Sequence, residues 1–473
     1  MDKAVSRKTA HAANAAPAPY RTPDERAAQG RIVRDQVSRS SQGGWKLPDQ
    51  RRDVIELLDE SNAGRLPRLI PIRFGRMSAS PFAFYRGAAA VMAADLATTP
   101  TSGLRVQACG DAHLMNFGGF ATPERNVIFD INDLDETLPA PFEWDLKRLA
   151  ASVVIAAQHL ELPYSDTVRL TTDLVRQYRE RMHDYAYMRA LDVWYDRIDL
   201  QKYQDKSGDP DVVEAARKRI AQRIEAERQK TAPEYLYPKF VSEEGREPRI
   251  KDEPPLIFHP DADLAPGLES GYAEAVASYR ESLAEHVRTL FDRFHLVDLA
   301  IKVVGVGSVG TMCGVGLFMA SDNDPLFLQV KEAKASVLEP YAGKSLHPNH
   351  GQRVIAGHRI MQSASDVFLG WTRGKNGRDF YIRQLRDMKM SIVIEALDAG
   401  MLRQYGRMCA HALARSHARS GDAAMIAGYM GSGGTFDDAI TEFATEYSSQ
   451  NRRDYREFIQ AIREGRIEAI TED

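Results

Sequence analysis

The sequence predicts an α+β protein of two lobes, a large helical one and a small β-rich one. Three observations carry this expectation. At 473 residues the chain exceeds one ordinary core, given roughly 100–200 residues per domain. FEWDLKRLAASVVIAAQHL (142–160) and LRQYGRMCAHALARSHARS (402–420) have apolar residues at helical spacing. Between them, from residue 299, LAIKVVGVGSVGTMCGVGLFMASDNDPLFLQVKEA changes to β-rich runs joined by the turn-forming Ser-Asp-Asn-Asp-Pro. The expected division is a flexible tail over 1–45, a helical lobe over 46–295, a β-rich nucleotide lobe over 296–390 and completing helices over 391–473.

Along the chain, the Ala/Pro-rich leader lacks the continuous apolar run of a secretory signal. VIELLDESNAGRL predicts a short helix closed by Gly64 and Pro67, and RLIPIRFGRM alternates like a strand. SPFAFYRGAAAVMAADLA predicts one helix entered through Ser80 and Pro81. LRVQACG and NVIFDIN read as strands, each ending in a polar cluster, and helices follow over about 142–160 and 165–189. VVEAARKRIAQRIEAERQK (212–230) predicts a solvated helix, and residues 239–260 a long surface excursion. A helix over about 352–364 and a strand DFYIRQL complete the pattern.

Hydrophobic residues make up 43% and charged residues 27%, the balance of a globular chain, and the net charge of −4 gives no global attraction to nucleic acid or an anionic membrane. No stretch reaches the roughly 20 apolar residues of a membrane span. Cys109, Cys313 and Cys409 have neither disulfide-framework nor zinc-site spacing, which points to a reducing cytosol.

Chemistry concentrates in Gly110-Asp111-Ala112-His113-Leu114-Met115-Asn116, followed by the strand Val127-Ile128-Phe129-Asp130. Phosphoryl transfer needs one carboxylate to orient an acceptor hydroxyl and take its proton, and an amide oxygen and second carboxylate to hold Mg²⁺ against nucleotide phosphates. Asp111 fits the first role and Asn116 and Asp130 the metal roles; the same residue types also suit turns and caps. His113 joins the catalytic set as a hydrogen-bond donor shaping the loop. Asp133, Asp135 and Glu136 crowd behind Asp130, a density of charge that calls for a cation, with Asp133 the candidate further metal ligand, or for solvation.

This Gly-Asp-x-His-x-x-Asn run resembles the catalytic loop of aminoglycoside phosphotransferases and related kinase-like enzymes. The resemblance extends through Glu143-Trp144-Asp145-Leu146-Lys147-Arg148-Leu149 and implies that Asp145 braces the catalytic loop.

A second constellation, Gly305-Val306-Gly307-Ser308-Val309-Gly310, follows the strand AIKVV. Alone these letters also open a dinucleotide-binding Rossmann unit, which requires a helix straight after the glycines. Here a β-like run follows, then a turn, then Leu326-Phe327-Leu328-Gln329-Val330-Lys331. Glycines, a hairpin and a lysine in the third strand is the layout of a kinase nucleotide lobe, with Gly305, Gly307, Ser308 and Gly310 over the phosphates and Lys331 on them. Glu339 is the candidate partner of Lys331, with Gln352 as its substitute. Arg73, Arg76 and Arg86 suit an anion subsite or surface ion pairs; Arg383, Arg386 and Lys389 suit a base-binding hinge or a strand face; His411 and His417 suit structural roles.

The catalytic loop precedes the glycine loop, the reverse of the usual kinase order, so the fold expected is protein-kinase-like, two-lobed and circularly permuted. From RFGRMSASPFAFYRGAA through CGDAHLMNFG, FDINDLDETLPAPFEWDLKRLAAS, VVGVGSVGT, LFLQVKEAKASVLEPY and YIRQLRDMK to ALARSHARSGD, the chain resembles the bacterial family known as domain of unknown function 2252. The expected activity is an ATP- and Mg-dependent, kinase-like phosphotransferase acting on a hydroxyl of a small molecule. AMP transfer on the same fold, or a non-catalytic nucleotide sensor or scaffold, are the alternatives.

Overall fold

Several helices begin where a side chain replaces a missing backbone partner. Thr22 and Glu25 form a reciprocal capping box before Pro23–Gln36, Asp53 accepts from the N–H groups of Ile55 and Glu56, and Ser80 accepts from that of Ala83. Each satisfies donors that the first helical turn leaves open. The computed structural model describes residues 20–202, 218, 221–222, 224–227, 233–242, 248–259, 268–303, 305–322, 324–385 and 388–471. It is a mixed α+β architecture, about 52% helix and 15% strand, and its sheets do not close.

The helix Phe142–His159 is the hub. Every residue from Phe142 to Ala157 is buried, including Glu143, Asp145, Lys147 and Arg148, so the polar groups on this helix must find partners inside the protein. Tyr164–Tyr187, Ala399–Ser420 and Thr435–Arg463 pack around it, with Phe142 stacked on Tyr178 and Phe436 at centroid distances of 6.3 and 6.1 Å. Among the described residues no helix is long and apolar enough to cross a membrane.

Beside this body stands a six-stranded antiparallel sheet in the order Gly370–Arg373, Asp379–Gln384, Pro325–Ala333, Cys313–Met319, His295–Lys302, Ile257–Phe258. Cys313 lies opposite Lys331 and Lys331 opposite Tyr381, which puts the three on one face. Two short ladders flank the segment of Asp111 and Asn116: Arg105–Ala108 pairs with Leu138–Pro141, and Phe117–Ala121 pairs with Val127–Ile131.

Local expectations fail where contacts override periodicity. RLIPIRFGRM is a helix, Ile70–Ser78, with Pro71 in its first turn; Ile72 enters one apolar cluster while Phe74 and Met77 enter another, so a helix facing two sides mimics strand alternation. The helix expected after Ser80 breaks at Ala88 into Pro81–Gly87 and Ala89–Leu96, where the Gly87 carbonyl accepts from buried Arg73 at 2.9 Å. Within the expected tail, Pro23–Gln36 is a helix docked on Ala423–Met430. Much of 212–230 lies outside the described residues. The excursion after it supplies the edge strand Ile257–Phe258, and its Phe240, Val241 and Ile250 pack with Val315, Leu317 and Phe327.

Candidate functional site

Gly110 opens the candidate catalytic loop with φ +82°, and a Cβ there would lie 2.3 Å from the Glu136 carbonyl oxygen, so only glycine lets the two loops approach. Asp145, on the buried hub helix, accepts from the backbone N–H groups of Cys109 (2.6 Å) and Gly110 (2.9 Å), and its Oδ2 lies 3.1 Å from His417 Nε2. These bonds tie the start of the loop to the hub helix.

Asp111 emerges from this brace with Oδ1 accepting from both Arg148 Nε (2.9 Å) and Nη2 (2.6 Å). The guanidinium of Arg148 lies over the Tyr85 ring, 4.0 Å from its centroid, which fixes the carboxylate against a rigid cation. Asn116 Nδ2 donates to the Asp111 carbonyl at 2.8 Å, turning the amide so that its oxygen remains as the acceptor end. His113 is buried, and its Nδ1 accepts from the Met115 N–H at 3.2 Å. Burial pushes its pKa from 6.5 down to about 4, so the neutral ring carries its proton on Nε2, 3.7 Å from Asp111 Oδ2. Its role in the loop is to position Asp111.

The acidic segment returns alongside: the Asn132 N–H donates to the Asn116 carbonyl at 2.7 Å. Here the metal assignment changes. Asp130 is fully buried, its Oδ1 accepting from Arg415 Nη2 (2.5 Å) and from the Ile131 N–H (2.8 Å), its Oδ2 from the backbone and hydroxyl of Ser363 (2.9 and 3.0 Å). A carboxylate with four protein donors is a structural anchor and has no vacant face for a cation. Asp133 and Asp135 are the acids that meet the sheet. Lys331 Nζ stands 2.7 Å from Asp135 Oδ2 and 3.5 Å from Asp133 Oδ2, and Tyr381 donates to Asp135 Oδ1 at 2.5 Å. Burial alone would raise the Asp133 carboxyl, but Lys331 and Arg383 hold it well below its ordinary range; burial alone would lower Lys331, but the two aspartates hold it well above.

The glycine loop leads into the strand Cys313–Met319 and not into a helix, which removes the Rossmann alternative. Gly305 and Gly310 adopt φ of +68° and +85°. Arg76 Nη1 donates to the Gly305 carbonyl at 2.6 Å, the Leu66 N–H donates to that of Gly310 at 2.7 Å, and Ser308 Oγ reaches Asp135 at 3.4 Å. Gly307 carries no side chain and borders the Arg86 backbone. Glu339 is not the partner of Lys331: its carboxylate lies 3.7 Å from His350 Nδ1. Instead of a glutamate, the helix His350–Met361 contributes buried Arg353, which donates to the carbonyls of Thr137 (2.6 Å), Asp135 (2.8 Å) and Lys334 (2.7 Å). Arg383 binds Gln329 and the Asn132 carbonyl, each at 3.1 Å; Lys389 is exposed, and Arg386 lies outside the described residues.

Neither Arg148 nor Arg353 was assigned a site role on sequence grounds. Arg148 has a usable signal: it lies three residues after Asp145, hence on the same helix face, and both side chains grip the Cys109–Asp111 segment. Arg353 has none, because its acceptors are main-chain carbonyls, two of them more than 200 residues away. Among the described residues no three His, Cys, Asp or Glu side chains form a metal cluster. Asn116 and Asp133 instead fit the sparse protein ligation of Mg²⁺, which keeps waters and substrate phosphates in its shell. A separate apolar cavity of about 370 Å³, bordered by Phe318, Leu328 and Val330, lies under the helix Leu268–Ser282, on the sheet face opposite Lys331.

The chain belongs to the family described as "Uncharacterized protein conserved in bacteria (DUF2252)", whose model matches residues 65–461. No curated protein and no solved structure matches it.

Proposed function

We propose that this protein is an ATP- and Mg-dependent phosphotransferase of protein-kinase-like, circularly permuted fold, acting in the cytosol on a hydroxyl of a small molecule. The observation that carries the reading is the meeting of three segments distant in sequence: Ser308 of the glycine loop and Lys331 of the sheet both reach Asp135, beside a loop in which Asn116 is anchored to Asp111. A mere glycine hairpin with a surface lysine does not call for a buried cation between two aspartates. The permutation is supported by helices on both sides of the sheet segment in the sequence packing into one body.

In this reading Asp111 orients the acceptor hydroxyl and takes its proton, with Arg148 and His113 fixing the carboxylate. Asn116 and Asp133 hold magnesium, which when bound neutralises phosphate charge. Lys331 turns from Asp135 toward the α- and β-phosphates, and the backbone of 305–310 covers them. The test is thermal unfolding with ATP, ADP, AMP or NAD, each with and without Mg²⁺. A shift with ATP and Mg²⁺ that Asp133→Ala and Lys331→Ala abolish is expected, with ADP as the product of turnover; pyrophosphate would assign AMP transfer. No shift with ATP, or one with NAD alone, would overturn the reading.

A further inference from the structure

A cavity of about 610 Å³ lies beside the catalytic loop. Met115 of that loop, Val306 of the glycine loop, Arg76, Ser80 and Arg86 of the early helices, and His159 and Glu395 face it. Met115 places it beside the loop that bears Asp111, whose charge acts on Arg86. The size suits a small molecule, since ligand pockets run to roughly 300–1,000 Å³.

Its charges are not all satisfied. Arg76 is engaged with the Gly305 carbonyl, and Glu395 faces His159 at 3.4 Å while remaining largely in solvent. Arg86 differs: its Nε is buried without a hydrogen-bond partner, and Asp111 and Glu395 act on its charge through space. Neighbouring Arg73 also has an unbonded Nε, but its Nη atoms donate to Asn62 and to the Gly87 carbonyl. A buried arginine Nε with nothing to accept from it is costly, and the planar fork of a guanidinium matches a carboxylate or phosphate.

We propose that Arg86 binds an anionic group of the acceptor in this cavity, so that the substrate is a small hydroxy acid or phosphorylated alcohol whose hydroxyl is presented to Asp111. This rests on the phosphotransferase reading, but the binding site itself can be tested separately. The probes are inorganic phosphate and glycerate, titrated against thermal unfolding in the wild type, Arg86→Gln and Ala83→Asp, with and without ADP and Mg²⁺. Ala83→Asp places a carboxylate in the same cavity and keeps the assay informative if Arg86→Gln folds poorly.

The expected result is saturable stabilisation by phosphate or glycerate that persists with ADP and Mg²⁺ bound and weakens by roughly tenfold or more in both variants, the loss expected for a charged hydrogen bond. Which probe binds tells phosphate from carboxylate. Equal stabilisation of the wild type and both variants, or none in the wild type, would overturn the proposal. If the anion effect follows Arg86 but ADP and Mg²⁺ never shift the unfolding, the nucleotide reading fails and the anion site stands.

Discussion

Asp130 and Asp133 are three positions apart, yet one is sealed beneath Arg415 and Ser363 while the other faces Lys331. Their substitutions therefore separate stability from ligand binding. Asp130→Ala leaves the Arg415 guanidinium without its carboxylate in a dry site and is expected to cost about 3–5 kcal/mol, read as a lowered midpoint in urea unfolding. Asp133→Asn, at a side chain about one-third exposed, is expected to leave that midpoint within about 1 kcal/mol while removing the stabilisation by ATP and Mg²⁺. A reversed ranking would restore Asp130 as the metal ligand. The residue identities around Asp111 were readable from the Gly-Asp-x-His-x-x-Asn run. Which of four nearby acids faces the sheet was not, because that depends on how the segment after Val127–Ile131 turns across strands more than 150 residues distant.

Elements show the same division. The hub helix, the glycine hairpin and the strand bearing Lys331 were legible because each has a strong period or turn signal. Pro23–Gln36 was not, because it docks through small residues: Ala27 and Gly30 are its buried positions, and a Cβ on Gly428 would lie 2.1 Å from the Ala27 carbonyl. Close backbone approach leaves no large apolar stripe to read. It also makes the contact fragile. Gly428→Val is expected to displace this helix while leaving the loops around Asp111 and Gly305 in place, so limited proteolysis should cut between residues 20 and 45 far faster than in the wild type, with the remainder keeping the stabilisation by ATP and Mg²⁺ proposed above. Unchanged cleavage would mean that the neighbouring helix absorbs the side chain.

At the scale of the whole molecule, the sheet is fastened to the helical body through ionisable groups, and pH should act on that seam. Arg353 clamps the acidic segment from below while Lys331 and Tyr381 hold Asp135 from the sheet. Burial pushes His113 and His358 from 6.5 down to about 4, and it pushes Glu136 from 4.5 up to about 7. Between pH 6.5 and about 4 the unfolded chain takes up protons at both histidines that the folded one refuses, so acidification removes stability. Glu136 works oppositely: the folded state holds its proton through the window from 4.5 to 7, and its contribution fades as pH rises. From pH 6.5 to 4.5, two histidines therefore outweigh one glutamate. His113→Gln removes one of the two, so its stability curve should be shallower than the wild type's by about 1.4 kcal/mol per pH unit in that window, with the curves parallel above pH 7.5. Urea titrations at half-unit intervals give both slopes; parallel curves throughout would mean that His113 titrates in the folded protein as it does in the unfolded chain, and that burial does not hold it neutral beside Asp111.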